Sequence, residues 1–414
     1  MVVKMKKRSL ENILNLALDT FPVVLLNGSR QVGKSTLAIE KFKNYITFDD
    51  GELRLYAKEN PKAFLKNLEL PICIDEIQKV PTILEYIKIQ IDTNRKNGSF
   101  LLTGSSNVLD HKDSKDSLAG RLCELKLLPL SSKEKNDKPD ENIIEKLLIK
   151  DFKNIKKNYF EELCEHILDG GYPEILYLKG LQKELWFKSY IATYIERDAR
   201  DLADIRNIDS FIKFVYILAS RSATILNKSN LSVDIGIKDI TTDNYISIIT
   251  KIYQATLLKP YFANIGKQFI KSPKVFINDT GVLCSLLNIS SKEQLLNSTY
   301  SGQIFETYVF CELQKHLEYL QKSYQIYHYR TSDKKEIDFI LEYSNKIIEK
   351  ISISNDLDFS NIEPTIVKMP QMRGYYIRHK GYDKSIKKTW AKLQTWIYTN
   401  DIKSYKQMAL HHDN

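Results

Sequence analysis

No stretch of this 414-residue chain approaches eighteen consecutive apolar residues, the length a helix needs to cross a bilayer, so no membrane association is expected. The N-terminus, MVVKMKKRSLENILNLAL, keeps charges and polar breaks where a signal peptide would keep a clean apolar core, which points to a cytoplasmic protein. Cysteine is sparse as well. Its five copies (Cys73, Cys123, Cys164, Cys284 and Cys311) are odd in number and scattered, without a C-x-x-C or Cys/His cluster to cage zinc, so buried free thiols are expected. Internal repeats and extended low-complexity tracts are missing too. A net charge of +9 over so long a chain falls short of a histone-like footprint and permits nucleic-acid binding without demanding it.

Hydrophobic residues make up 43% of the chain and aromatics 11%, enough to bury more than one core, and the length suggests two or three domains. The most informative segment is FPVVLLNGSRQVGKST, an apolar run that ends in Gly28-Ser29-Arg30-Gln31-Val32-Gly33-Lys34-Ser35-Thr36 and leads into the helical pattern TLAIEKF. This is the form of a P-loop. Gly28 and Gly33 let the backbone curl its N–H groups around a phosphate, Lys34 supplies a point charge for β and γ phosphates, and Ser35 offers a hydroxyl to Mg²⁺. About forty residues on, Leu70-Pro-Ile-Cys-Ile-Asp75-Glu76 reads as a buried parallel strand with carboxylates at its C-terminal end, a Walker B element. Asp75 is then a water-mediated Mg²⁺ ligand, and Glu76 the residue that orients or deprotonates the attacking water. ATP and Mg²⁺ are the expected cofactors.

Residues 1–130 alternate strand and helix patterns, which favours a parallel sheet covered on both faces. Strands are expected at Val23–Leu26, Tyr45–Phe48, Ile72–Ile74, Phe100–Thr103 and Leu122–Leu127. Helices are expected at Ser35–Phe42, Gly51–Glu59, Pro61–Leu68, Pro81–Asn94 and near Asp116–Ala119. The strand FLLT ends in small polar residues, so Ser105, Ser106 or Asn107 is a γ-phosphate sensor, a helix N-cap, or both. Arg121, just before the last strand, could stabilise charge developing on a γ phosphate. Asp49 and Asp50 end the second strand, where capping the next helix is the favoured role over contact with metal-bound water.

The charged segment SSKEKNDKPDEN, residues 131–142, reads as a linker, and residues 143–290 as mainly helical, with helices at Leu181–Leu202 and Ile208–Ala219. Helix, short helix, a helix begun by Thr241-Thr-Asp-Asn and a hairpin-like stretch trace a winged-helix outline. In a DNA reader Thr242, Asn244 and Lys251 would lie on or near the recognition helix, and Lys259, Lys267, Lys271 and Lys274 would reach phosphates from the wing. The apolar character of TTDNYISIITKIYQATLL favours packing or protein contacts instead. Residues 291–414 begin with a helix and continue in β-rich runs.

NGSRQVGKST, PICIDEIQKVP, FLLTGSSN, SLAGR, GGYPE, IERD, SPKVFINDTG, GQIFE and YHYRTSDKKEIDFIL occur in an order that resembles the prokaryotic AAA-type ATPases with a C-terminal DUF4143 region. The resemblance covers nearly the whole chain. It implies an α/β P-loop domain of AAA type, a mainly helical winged-helix domain, and a C-terminal α/β domain of restriction-endonuclease-like, PD-(D/E)xK type. It carries Gly28 to Thr36 onto the Walker A loop, Asp75 and Glu76 onto Walker B, and Ser105 and Ser106 onto the sensor segment. Arg121 falls on the arginine finger, which commonly serves a neighbouring subunit and so implies a homo-oligomer. Glu306 and Asp338 match the first two nuclease acids, but Ile351 and Ile353 stand where E-x-K is needed, and Glu349 and Lys350 are adjacent. The nuclease fold is therefore read as inactive. The expected function is an Mg²⁺-dependent ATPase that rearranges its C-terminal parts on a macromolecular partner, double-stranded DNA or a protein. The alternatives are a DNA-binding regulatory or defence protein with ATP as a slow switch, and an active nuclease.

Overall fold

The computed structural model describes residues 5–105, 118–149, 160–195, 199–200, 207–262, 271–320, 324–330, 336–344 and 346–352. The first part is built from α1 (Glu11–Thr20), β1 (Val23–Asn27), α2 (Lys34–Lys41), β2 (Asn44–Thr47), α3 (Gly51–Glu59), α4 (Pro61–Lys66), β3 (Ile72–Asp75), α5 (Ile83–Thr93), β4 (Phe100–Gly104) and β5 (Leu122–Lys126). All five strands run parallel in the order β2-β3-β4-β1-β5. The runs VVLL and FLL are buried throughout because β1 and β4 are central and covered on both faces, whereas the edge strands β2 and β5 are half exposed. Each expected strand is present to within a residue. Helix α1 has no counterpart among the expected helices; Leu14 and Ala17, with the preceding Leu10, bury one side of it, and Asn12, Asn15, Leu16 and Asp19 are exposed. Of the short helix expected near Asp116–Ala119, residues 116 and 117 lie outside the described residues, and 118–120 form a turn.

Residues 131–142 differ from the linker expectation. Ser131 caps a helical turn, α6 (Ser132–Lys135), in a reciprocal capping box with Glu134, and Ser131 to Glu134 are buried. The charge that marked the segment as solvent-exposed is neutralised internally. Arg8 Nε donates to Glu134 Oε1 at 3.0 Å, and Lys133 pairs with Glu141 at 2.8 Å.

Helices α7 (Ile143–Ile149), α8 (Phe160–Asp169) and α9 (Leu181–Tyr190) follow, and α9 widens into a single π-type turn at Ile191–Ile195. Residues 196–198 and 201–202 of the long helix expected to end at Leu202, and 203–206 after it, lie outside the described residues. Next come α10 (Ile208–Ser220), β6 (Thr224–Ile225), α11 (Lys228–Ile235), α12 (Asp239–Lys251), β7 (Ala255–Leu258) and β8 (Lys274–Ile277). The three strands form a small antiparallel sheet ordered β6-β8-β7. Asn207 and Asn227 cap α10 and α11, and Phe211 meets Tyr245 edge-on at 5.2 Å between ring centroids, holding α12 across α10.

The last part holds α13 (Thr280–Leu286), α14 (Lys292–Asn297), α15 (Ser301–Glu318) and an antiparallel sheet of β9 (Gln325–Arg330), β10 (Glu336–Tyr343) and β11 (Lys346–Ile351), ordered β11-β10-β9. Phe276 of β8 stacks on Phe310 of α15 at 4.1 Å, and Phe339 of β10 joins them. One apolar cluster thereby runs from Leu10 and Val24 through Phe211 and Phe276 to Ile351. Among the described residues no helix is long and apolar enough to cross a membrane.

Glu312 ties α15 to α6, accepting from Ser132 N at 2.9 Å and Ser132 Oγ at 2.7 Å beside Lys315 at 3.1 Å. Burial opposes its charge, but Lys315, His316 and the Ser132 donors outweigh burial and hold its pKa at about 2. A carboxylate with a folded pKa below its ordinary 4.5 contributes stability that is full above pH 4.5 and fades as pH falls towards 2. The shift corresponds to about 3 kcal/mol. Glu312→Gln should therefore lower the unfolding free energy at neutral pH and flatten its decline below pH 4.5, as read by urea denaturation across that range.

Candidate phosphate-binding site

The loop from Gly28 to Gly33 leaves β1 at the C-terminal edge of the parallel sheet, where open α/β sheets place their ligands. Gly28 has φ +149°, and a Cβ there would stand 2.2 Å from the Leu127 carbonyl oxygen, so the backbone just after β5 requires glycine. Gly33, at φ +99°, turns the chain into α2. Lys34 is buried, its Nζ donating to the carbonyls of Gly28 at 2.9 Å and Ser29 at 2.8 Å, which folds the loop around its ammonium. Val32 is buried against the core, Gln31 and Thr36 are exposed, and Arg30 is half-buried.

Asp75 closes β3 opposite the start of α2. Its carboxylate accepts from Ser35 Oγ at 2.8 Å, from Tyr45 OH at 2.5 Å and from Thr103 Oγ1, while the group is only 3% exposed. Three hydroxyls thus offset the cost of burying this charge. Burial and the neighbouring Asp75 raise the Tyr45 pKa, which keeps its phenol a donor. Ser35 and Asp75 present hard oxygens side by side, a donor set suited to Mg²⁺. Among the described residues no three His, Cys, Asp or Glu side chains converge on a metal position, so phosphate oxygens and water would have to complete the shell.

Glu76 sits in a left-handed conformation, φ 56°, which is strained for a residue with a Cβ and turns its carboxylate away from the strand direction. Gln78 Nε2 bonds both Glu76 Oε2 and Ser105 Oγ (3.0 Å), and Arg30 Nη1 lies 3.7 Å from Glu76. Ser105, Glu76 and Arg30 therefore belong to one polar group, with Gln78 as its hub. Ser106 and Asn107 lie outside the described residues. Asp50 caps α3 through Glu52 N and Leu53 N, as expected, and Asp49 pairs with Lys79.

Arg121 lies at the other end of the sheet. Its carbonyl accepts from Val23 N, where β1 begins, so the five residues of β1, about 17 Å, separate it from the loop that follows. Its guanidinium grips Asp92 of α5 at 2.5 and 3.1 Å. It has no access to this chain's own phosphate loop.

Several contributors carried no sequence signal. Tyr45 and Thr103 look like ordinary strand residues, and Gln78 is one polar residue after two acids. Arg8, in a charged terminus, is buried behind the loop, donating to Val32 O at 2.7 Å and Leu128 O at 2.6 Å. From the GGYPE segment, Tyr172 OH reaches Ser29 Oγ at 3.4 Å.

Two of the DNA-contact expectations are corrected, whereas Asn244, Lys259 and Lys271 are exposed and Lys251 is half-buried. Thr242 is fully buried and bonded to Ser232, and the exposed positions of α12 include Asp239, Ile240, Asp243, Asn244 and Ser247. Lys274 points inward, 2% exposed, with Nζ at 2.7 Å from Glu306, 2.5 Å from Glu336 and 3.4 Å from Asp338. The β10 register shift between Ile337 and Ile340 lets both Asp338 and Phe339 reach towards β8. Ile351, paired with Phe339, is an apolar core position. Lys267 and Ile353 lie outside the described residues, as do the side chains of Glu349 and Lys350. Burial raises the Glu306 pKa; Lys274 opposes that shift, and Asp338 and Glu336 reinforce it. Lys274→Met would leave these acids without their counter-ion, and we expect a loss of about 3–5 kcal/mol in chemical denaturation.

Comparison with known proteins bears on these segments. A family model described as an AAA domain matches residues 20–136, one described as a domain of unknown function (DUF8612) matches 160–293, and one described as a domain of unknown function (DUF4143) matches 301–352. An uncharacterised protein of Mycobacterium tuberculosis is 28% identical over 337 residues, covering 80% of this chain and 70% of that protein. An uncharacterised protein of Methanocaldococcus jannaschii is 26% identical over 422 residues, covering 92% of this chain and 82% of its own. A solved DNA replication initiation factor aligns at 15% identity and a TM-score of 0.26, covering 58% of this chain and 85% of that one, and at that score the likeness carries no argument.

Proposed function

We propose that this chain, which joins an AAA domain to a DUF4143 region, binds and hydrolyses ATP with Mg²⁺ at residues 28–36 and uses turnover to move its middle region against a protein partner. The observation that carries the reading is Asp75, buried, served by three hydroxyls, and joined to the phosphate loop through Ser35. Loop amides and Lys34 would bind the phosphates, with the α2 N-terminus facing the anion. Mg²⁺ held by Ser35 and, through water, by Asp75 would neutralise phosphate charge as the terminal bond breaks. Glu76, aimed by its left-handed backbone and by Gln78, would accept the proton of the attacking water, and Ser105 reports on the same spot through that amide.

Arg121 would act on a neighbouring subunit, since it stands at the far end of its own sheet; it must first exchange Asp92 for phosphate. A homo-oligomer follows from that assignment. The winged-helix reading of α10–β8 draws on its strand and helix order, but Asp239 on the exposed side of α12 would repel a phosphate backbone, Asp243 there already holds Lys228, and the neighbouring Ile240 is 72% exposed. A protein partner suits that face better than DNA. For the DUF4143 region, a nuclease-like fold without activity accords with Lys274 standing among the acids and Ile351 in the core.

Lys34→Ala should abolish binding of a fluorescent ATP analogue, whereas Glu76→Gln should retain binding and lose at least 100-fold in turnover. Arg121→Ala should bind normally and hydrolyse slowly at every protein concentration. Undiminished binding by the Lys34 variant would overturn the site.

A further inference from the structure

Behind the phosphate loop lies a line of buried polar groups that the proposed chemistry does not use. Gln254, at the junction of α12 and β7, donates from Nε2 to Tyr190 OH at 3.0 Å. Tyr190 OH is 2.7 Å from Tyr172 OH and 3.5 Å from the Arg30 carbonyl, and Tyr172 OH is 3.4 Å from Ser29 Oγ. Each member is at least nine-tenths buried: Gln254 is 6% exposed, Ser29 3%, Tyr172 2% and Tyr190 1%. Trp186 stacks on the Tyr190 ring at 5.1 Å, which fixes the phenol laterally.

The direction of this line follows from counting protons. A phenol has one O–H, and a buried amide NH₂ is only a donor. Tyr190, accepting from Gln254, has one proton, for which Tyr172 at 2.7 Å competes with the Arg30 carbonyl at 3.5 Å, and the shorter contact takes it. Tyr172, accepting that proton, has its own for Ser29. Burial and the nearby Asp279 raise the Tyr172 pKa, so the phenol remains protonated. Ser29, as acceptor, keeps its hydroxyl proton for a donor contact inside the loop.

We infer that Tyr172, Tyr190 and Gln254 are positioning residues that orient Ser29 as a phosphate donor and couple the loop to the base of the β6–β8 sheet unit. The inference rests on reading residues 28–36 as a phosphate loop. The far end of the line is anchored too. The Gln254 carbonyl accepts from Asn278 N at 2.9 Å, Asn278 Oδ1 accepts from Thr256 at 2.7 Å, and the adjoining Asp279 accepts from Gly171 N at 2.7 Å. A displacement of α12 against β7 therefore bears on Gln254, and through two phenols on Ser29. The same line would carry a change at the loop outwards to the sheet unit.

Two measurements on the full-length protein separate this inference from the nucleotide assignment. The first is amide hydrogen exchange of residues 28–33 without nucleotide, in wild type, Tyr172→Phe and Gln254→Leu. Both variants keep the size of the side chain, and exchange in the loop should quicken about tenfold, with the β4 amides as an internal control. The second is affinity for a fluorescent ATP analogue, expected to fall about five- to tenfold in each variant, with the double variant no worse than Tyr172→Phe alone because both cut one line. Gln254→Glu, which can still bond Tyr190 when protonated, should recover affinity as pH is lowered, a response that a purely structural loss would not give. Unchanged loop exchange, or independent and additive affinity losses, would overturn the coupling, whereas failure of Lys34→Ala to weaken binding would count against the nucleotide reading alone.

Discussion

The arrangement depends most on a guanidinium that stands outside the expected nucleotide motifs. Arg8 donates to the Val32 carbonyl, the Leu128 carbonyl and the Glu134 carboxylate, and so clamps the back of the phosphate loop to the end of β5 and to α6. Burial alone would lower its pKa, but Glu134 and the Tyr319 hydroxyl overcome that cost and raise it, so the charge is permanent. The glycines give the loop freedom to curl; Arg8 takes the surplus freedom away. A loop with few side-chain contacts of its own needs such external support to hold its amides in one geometry.

A second support comes from the opposite flank, where Tyr172 bonds Ser29 and Pro173 lies 4.0 Å from where a Cβ on Gly33 would stand. The site is therefore assembled from the N-terminal strand-and-helix part, the helical middle and, through Glu312 and Tyr319, the C-terminal helix α15. A separation into parts joined by a loose linker would leave the loop without its Tyr172 and Tyr190 contacts. The burial of Ser131 to Glu134 accounts for the absence of that separation: α6 is the keystone between Arg8, α15 and β5.

How much of this could be read beforehand follows from the range of each interaction. The five strands, the glycine-bearing turn after β1 and the placing of Asp75 and Glu76 where β3 stops were legible because each lies in consecutive residues: apolar runs of one strand length, glycines at fixed spacing, and acids at a strand end. Asp50 as a cap was legible for the same reason. Tyr45, Thr103, Gln78, Arg8 and Tyr172 were not, because each reaches the site from a distant segment and its residue type alone names no partner. Charge misled in two places. Lys133 and Glu134 of residues 131–142 read as solvated and are buried against Glu141 and Arg8, and Lys274 read as a phosphate contact and instead stands buried among three acids. A charged residue declares its cost of burial, not whether a partner waits for it.

The most direct test of the account is the ATP affinity of Arg8→Met, measured by titration calorimetry beside the wild type, with circular dichroism to establish that the fold is retained. Methionine keeps much of the buried volume and removes the three donors that hold Val32, Leu128 and Glu134 together. The wild type should bind ATP, and the folded variant should lose tenfold or more in affinity. Equal affinity in the two proteins, or no ATP binding by the wild type, would contradict this account.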